Sequence, residues 1–284
     1  MAAGFELPEA LVAEVVAWAA DLAGDAAVSL VDRPTLFHHG VLYCMQRAGS
    51  MPRDLDFVEV FAGSHRATTM VLRLGMRAAA FDRDLNARHD VCLLVGLVLC
   101  GMLVLRIVPR GVVWFAPRCA AWLPWVSRSN HRRSASDPLG DTSRVDVLEA
   151  NMVALVVSWL SVLAHVRHVF LGLEQPIRSH FFAHPSVEDT LRNVAAERQV
   201  TYLGGFGGES LKPLEVHATL PVHAALRLRR PHAVAAARLG VRGRPLVQPQ
   251  RGGWFRGTAA MSASQTYPWE FAMSIAEMVA LAKL

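Results

Sequence analysis

The chain predicts a doubly wound α/β fold on a mostly parallel sheet with an N-terminal helical extension, and three observations carry that expectation. From Asp56 onward, short apolar runs of strand length alternate with longer helical segments, the order that produces parallel strands joined by crossover helices. Three of the runs, 56–64, 115–119 and 171–176, end on small or polar turn residues, which puts three strand ends on the one edge where such folds place their ligands. The 284 residues are 52% hydrophobic, enough to bury a substantial core and too apolar for a disordered chain.

Residues 1–24 read as an amphipathic helix bearing Glu6, Glu9, Glu14 and Asp21, without the basic start of a secretory signal. Residues 26–51 show no clean period and are expected to pack on the main domain as a lead-in. A buried strand at 57–61 is followed by a helix at 64–74 that stops at Gly75, then by a short strand at 77–81 ending at Asp82. A helix over 86–106, a break at Pro109, Arg110 and Gly111, and a strand at 112–115 come next. Residues 116–141 form a long loop rich in Arg, Ser, Trp and Pro, a length that within a compact domain marks a functional segment or disorder.

Asp141 or Thr142 is the expected cap of a helix running to about Val166, and 168–173 is the strand that ends at Glu174, Gln175 and Pro176. Beyond it the sequence predicts a helix at 188–197, strands at 200–206 and 214–219 around the glycine turn 204–208, and a last helix at 269–283. The expected divisions are a helical extension at 1–55, the main domain at 56–220, and an Arg-rich segment with the final helix at 221–284. Residues 91–105 and 152–163 are strongly apolar, but each is shorter than the ~20 residues of a membrane-crossing helix, so both read as buried crossover helices.

Arg outnumbers Lys 27 to 2, the formal charge is +5, and the stretches 91–136 and 216–269 hold no Asp or Glu but six and eight Arg respectively. Such stretches suit phosphate contacts and favour nucleic acid as a partner, against the plain alternative of a basic face balanced elsewhere. Cys44, Cys92, Cys100 and Cys119 form no metal-finger pattern, and the twelve histidines show no metal-ligand spacing, so no metal is expected. Four cysteines without a pairing framework point to a reducing, intracellular compartment, nuclear or cytoplasmic.

The candidate site residues follow from the strand ends. Phe61, Ala62, Gly63 and Ser64 make a small-residue turn between strand and helix, where a ligand can approach the backbone and the helix amides. Asp82 lies 19 residues after Gly63, close to the spacing of about 20 at which doubly wound folds place a ribose-binding acid. Cys119 follows a strand with Arg106, Arg110, Arg118 and Arg128 near in sequence, conditions expected to lower its pKa, while a buried strand-end thiol is the plain alternative. Glu174 ends a strongly apolar strand, where a carboxylate needs an edge or a partner.

On these residues the chain resembles the DNA cytosine-5 family of S-adenosylmethionine-dependent methyltransferases, over roughly 57–176 and in the family's order. Phe61 and Gly63 match its cofactor-binding Phe-x-Gly turn, and Asp82 its ribose-binding acid. Pro117-Arg118-Cys119 approximates its Pro-Cys nucleophile, and Glu174-Gln175-Pro176 its base-recognising Glu-Asn-Val tip. Three positions depart: His65 replaces a glycine, Arg118 separates Pro117 from Cys119, and Gln175 replaces Asn. The resemblance implies a Rossmann-like sheet of the class I methyltransferase type, S-adenosylmethionine held by Phe61 to Ser64, Asp82 and Pro117, and attack by Cys119 on a flipped cytosine held by Glu174. A methyltransferase fold that binds nucleic acid or cofactor without turnover, and a methyltransferase for another substrate, are the competing classes.

Overall fold

The computed structural model of the chain describes residues 7–124, 132–209, 211–239, 247–249, 255–257 and 266–284. In chain order its elements are α1 (Glu9–Ala23), α2 (Leu36–Arg47), β1 (Leu55–Val60), α3 (Arg66–Arg73), β2 (Ala78–Phe81), α4 (Leu94–Leu105), β3 (Ile107–Phe115), α5 (Val145–Val166), β4 (Phe170–Pro176), α6 (Pro185–Asn193), β5 (Glu197–Tyr202), β6 (Pro213–Ala218), α7 (Val222–Ala225), α8 (His232–Leu239), β7 (Val247–Pro249), β8 (Phe255–Gly257) and α9 (Trp269–Ala282). Six strands form one sheet in the order β2-β1-β3-β4-β6-β5, and β7 and β8 form a separate antiparallel pair. Strands β1 to β4 pair in parallel, whereas β6 runs antiparallel to both β4 and β5. The protein is therefore α/β on a mostly parallel mixed sheet, an arrangement compatible with a Rossmann-like fold.

The strands read as unbroken apolar runs because helices cover both faces. Val58, Val60, Val113, Phe115, Leu171 and Leu173 face one layer, formed by α4, α5 and the two N-terminal helices. Phe57, Val112, Trp114, Leu214 and Val216 face the other, where α3 and α9 lie. All twelve residues of α4 are buried, which removes any polar face from its sequence. Its outer side is covered by α1 and α2, and Gly40 of α2 permits the approach, since a Cβ there would stand 2.8 Å from Leu97 Cδ2. The segments expected as an N-terminal extension and a C-terminal tail thus share the two layers with the sheet.

Several boundaries differ from the expected ones for local reasons. The helix expected at 86–106 is a short turn at 87–89 followed by α4, and the chain between them folds back so that a Cβ at Gly96 would lie 1.9 Å from the Asp90 carbonyl oxygen. Pro109 to Gly111, expected as a break between helix and strand, lie inside β3, which begins at Ile107 rather than Val112 and carries them across a register shift against β1. Neither Asp141 nor Thr142 caps α5: Asp141 accepts instead from Ser143, and the helix begins after Arg144 with no side-chain cap. Residues 26–51 contain a full helix, α2. Helix α6 ends at Asn193, and the strand expected at 200–206 gives way after Tyr202 to a buried helical turn at Leu203–Phe206.

Among the described residues one helix, α5, is long and apolar enough to cross a membrane by length and composition. It lies instead against α4, α6 and β4, with 56% of its most apolar window buried.

Candidate functional site

The turn after β1 winds unusually tightly. Phe61, Gly63 and His65 all take left-handed backbone conformations, with φ of 62°, 48° and 44°. Glycine accepts that geometry freely and Phe and His do so only with strain, so tertiary contacts must hold the turn. They come from two acids. Glu59, buried in β1, accepts from Thr68 N at 2.8 Å and Thr68 Oγ1 at 2.7 Å, capping α3 from the strand because His65 supplies no side-chain cap. Asp82, at the end of β2, accepts from Gly63 N at 2.9 Å through Oδ2 and from Asp84 N at 2.7 Å through Oδ1. Among the described residues nothing lies within 4 Å of a Cβ added at Gly63.

The β3 and β4 tips are stitched together. Gln175 Nε2 donates to Pro117 O, and Gln175 Oε1 accepts from Ser179 Oγ at 3.0 Å. The Cys119 carbonyl accepts from Trp122 N at 2.9 Å, and Trp122 O accepts from His180 N at 2.9 Å. Trp122 is covered by the Arg133 guanidinium, 3.8 Å from the ring centroid. Arg133 is itself buried, and it bonds the carbonyls of Pro138, Leu139 and Val147 and the Asn151 side chain. This cluster sets the path of the chain that carries Cys119.

Glu174 sits at the end of β4, 8% exposed. Its Oε1 accepts from the Tyr267 hydroxyl at 2.9 Å, and its Oε2 is buried with no hydrogen-bond partner among the described residues. Burial pushes its pKa up, against the opposing influence of Lys212 and the Tyr267 hydrogen bond. Cys119 is raised in turn, first by burial and then by the Glu174 charge, with Lys212 pulling the other way. The Glu174 charge thus acts on the thiol from the neighbouring strand, and Lys212 acts on both.

The expectation that neighbouring arginines lower the Cys119 pKa is overturned. Arg106 forms a paired contact with Asp54 at 2.7 and 2.8 Å, and Arg110 lies near the start of β3, its N–H bonded to His168 O. Arg118 reaches outward to Asp84 at 2.7 Å, and Arg128 lies outside the described residues. Closeness in sequence did not become closeness in space.

The basic stretches change character for the same reason. Of the six arginines in 91–136, Arg106 and Arg133 are buried, while Arg118 and Arg132 are paired with Asp84 and Asp141. In 216–269, Arg227 and Arg238 pair with Glu277 and Glu270 of α9, and four further arginines have no described side chain. Acids remote in sequence thus neutralise much of what reads as uncompensated charge.

The structure brings Phe61 to Ser64, Asp82, Pro117, Cys119, Glu174 and Gln175 to one edge of the sheet, as the strand ends predict. Three participants escaped the sequence reading: Glu59, Lys212 and Tyr267. An acid inside an apolar strand signals Glu59, and Lys212 is one of only two lysines. Nothing local marks Tyr267, which reaches the site from 93 residues beyond Glu174. Among the described residues no group of three or more His, Cys, Asp or Glu side chains is placed to hold a metal ion. No protein-family model, curated protein or solved structure matches the chain.

Proposed function

We propose that this protein is an S-adenosylmethionine-dependent methyltransferase acting on nucleic acid, with C5 of cytosine in DNA as its target and Cys119 as nucleophile. The observation that carries the reading is the buried Glu174 carboxyl, whose Oε2 has no partner among the described residues, on β4 beside the strand β3 whose tip leads to Cys119. A buried polar atom without a partner is costly, and a ligand that bonds it removes the cost. The reversed β6 between β4 and β5 also suits a sheet of the class I methyltransferase type.

The residues present fit the cofactor. The space that the described residues leave over Gly63 admits a ligand to the backbone, and each Asp82 oxygen engages one N–H and keeps acceptor capacity for ribose hydroxyls. Phe61, Ala62, Ser64 and Pro117 would complete the cradle, and when bound the cofactor supplies an electrophilic methyl group. Burial raises the Glu174 pKa, which favours the protonated form that would donate from Oε2 to a ring nitrogen of an extruded base. Cys119 loses its thiol proton to solvent water and its sulfur pair bonds C6, the C5–C6 π electrons moving into the ring toward the protonated ring nitrogen; after transfer at C5, the C5 proton passes to water and the C–S bond breaks with its pair returning to sulfur. Lys212 favours the thiolate that this step requires.

The test is trapping on DNA containing 5-fluorocytosine in the presence of cofactor. A covalent adduct that disappears in Cys119→Ser is expected; no adduct, with cofactor binding intact by calorimetry, overturns the cytosine mechanism. One observation favours a second reading, a fold that binds without turnover: the thiol is held above its ordinary pKa rather than below it. Cofactor binding without methyl transfer to any nucleic acid is its signature.

A further inference from the structure

The Tyr267 hydroxyl stands between two buried side chains on different strands. Trp114 Nε1, in β3, approaches its oxygen at 3.1 Å, and Glu174 Oε1, in β4, lies at 2.9 Å. An indole N–H can only donate, so the tyrosine oxygen must accept from Trp114. Its single proton then goes to Glu174 Oε1, since among the described residues no other acceptor bonds this hydroxyl. Direction in the chain Trp114 to Tyr267 to Glu174 is therefore dictated by chemistry.

The packing keeps the chain rigid. Trp114 is fully buried and lies flat over Gly172, where a Cβ would stand 2.2 Å from Trp114 Cε3. Tyr267 is anchored through its carbonyl, which accepts from Arg66 Nη1 at 2.7 Å, and its ring packs edge-on against Phe271 of α9 at 4.9 Å.

We propose that Tyr267 is a positioning residue: oriented by Trp114, its hydroxyl occupies Oε1 of Glu174 and confines the acid proton to Oε2, the oxygen left for the ligand. The proposal rests on the methyltransferase reading for its purpose and extends it, because it says how one carboxyl oxygen is selected as the donor. The charged and titratable groups around the pair are Cys119 from the chain after β3, Lys212 from the chain before β6, and Glu59 of β1, which acts on Tyr267. None of these supplies a hydrogen bond to Oε2.

The experiment is an infrared titration of the Glu174 carboxyl in the full chain without ligand, its band identified by subtraction of Glu174→Gln. Tyr267→Phe removes only the hydroxyl. It is expected to move the carbonyl stretch to higher frequency and the midpoint up by about one pH unit or more, since a hydrogen bond that favoured the charged form is gone. Replacement of Tyr267 by 3-fluorotyrosine keeps the ring and strengthens the donor, so the midpoint is expected to fall; this variant decides the matter if the Phe variant does not fold.

A midpoint that moves in neither variant, or that falls in Tyr267→Phe, overturns the proposal. The titration needs no cofactor and no DNA, so the two ideas fail separately. A shifted titration without any adduct on 5-fluorocytosine DNA removes the methyltransferase reading and keeps Tyr267 as the director of Glu174. An adduct with an unmoved titration does the reverse.

Discussion

Replacing Glu59 by Gln should change the slope of stability against pH more than its level. Glu59 is 1% exposed, and burial, partly offset by the two Thr68 hydrogen bonds, pushes its carboxyl up from 4.5 to about 7. Between those values the native state binds a proton that the unfolded chain has lost, so wild-type stability falls as pH rises through the window and levels off above it. The window spans about two and a half units at ~1.4 kcal/mol each, a total of about 3.5 kcal/mol. The Gln variant cannot titrate there. It leaves a buried amide N–H₂ in place of a carboxyl oxygen, which costs about 1–3 kcal/mol at every pH and shifts its curve without tilting it.

Urea unfolding of both proteins from about pH 5 to about pH 8 should therefore show the variant gaining about 2–3 kcal/mol on wild type across the range. Parallel curves would refute the reasoning, because they would mean that Glu59 has the same affinity for protons folded and unfolded. A wild-type curve that climbs relative to the variant would mean that the Thr68 bonds and the amides at the start of α3 outweigh burial and hold the carboxylate charged.

Three further outcomes follow from the contacts. Glu174→Gln should speed alkylation of Cys119 by iodoacetamide at a pH high enough to ionise Glu174, since the carboxylate charge that helps to raise the thiol is then gone; an unchanged rate would separate the two side chains. Arg133→Leu strips four acceptors, on Pro138, Leu139, Val147 and Asn151, and should cost about 2–4 kcal/mol by thermal unfolding, with faster proteolysis of the chain after Cys119. Burial alone would raise Glu215, but hydrogen bonds from His217 and Arg198 bring it down to about 2. Its contribution is complete above 4.5 and is lost as pH falls through 2, so Glu215→Gln should cost about 1–2 kcal/mol at neutral pH, discounted because Arg198 is half exposed, and almost nothing in strong acid.

Much of this architecture is written locally. The apolar runs at β1, β3 and β4 and the helices between them show the parallel part of the sheet, because a strand covered on both faces has no choice but to be apolar along its length. For the same reason the edge that gathers Phe61 to Ser64, Asp82, Pro117, Cys119 and Glu174 is legible, since each lies within four residues of a strand's carboxyl end. Helix α2 was hidden because Gly40 and two histidines break its apolar stripe, and Gly40 makes sense only against Leu94 and Leu97 of α4.

By itself the sequence determines which side chains stand at the carboxyl ends of the strands, because chain order and strand direction decide that without long-range contacts. Only the tertiary structure decides their chemistry. Arg118, adjacent to Cys119 in sequence, turns away to Asp84, while Glu174 and Lys212, remote from it, tune the thiol. Tyr267 and Trp114 come from distant segments to orient Glu174. Proton affinity depends on burial and on charges within a few ångströms, and those distances exist only once the two layers have closed on the sheet.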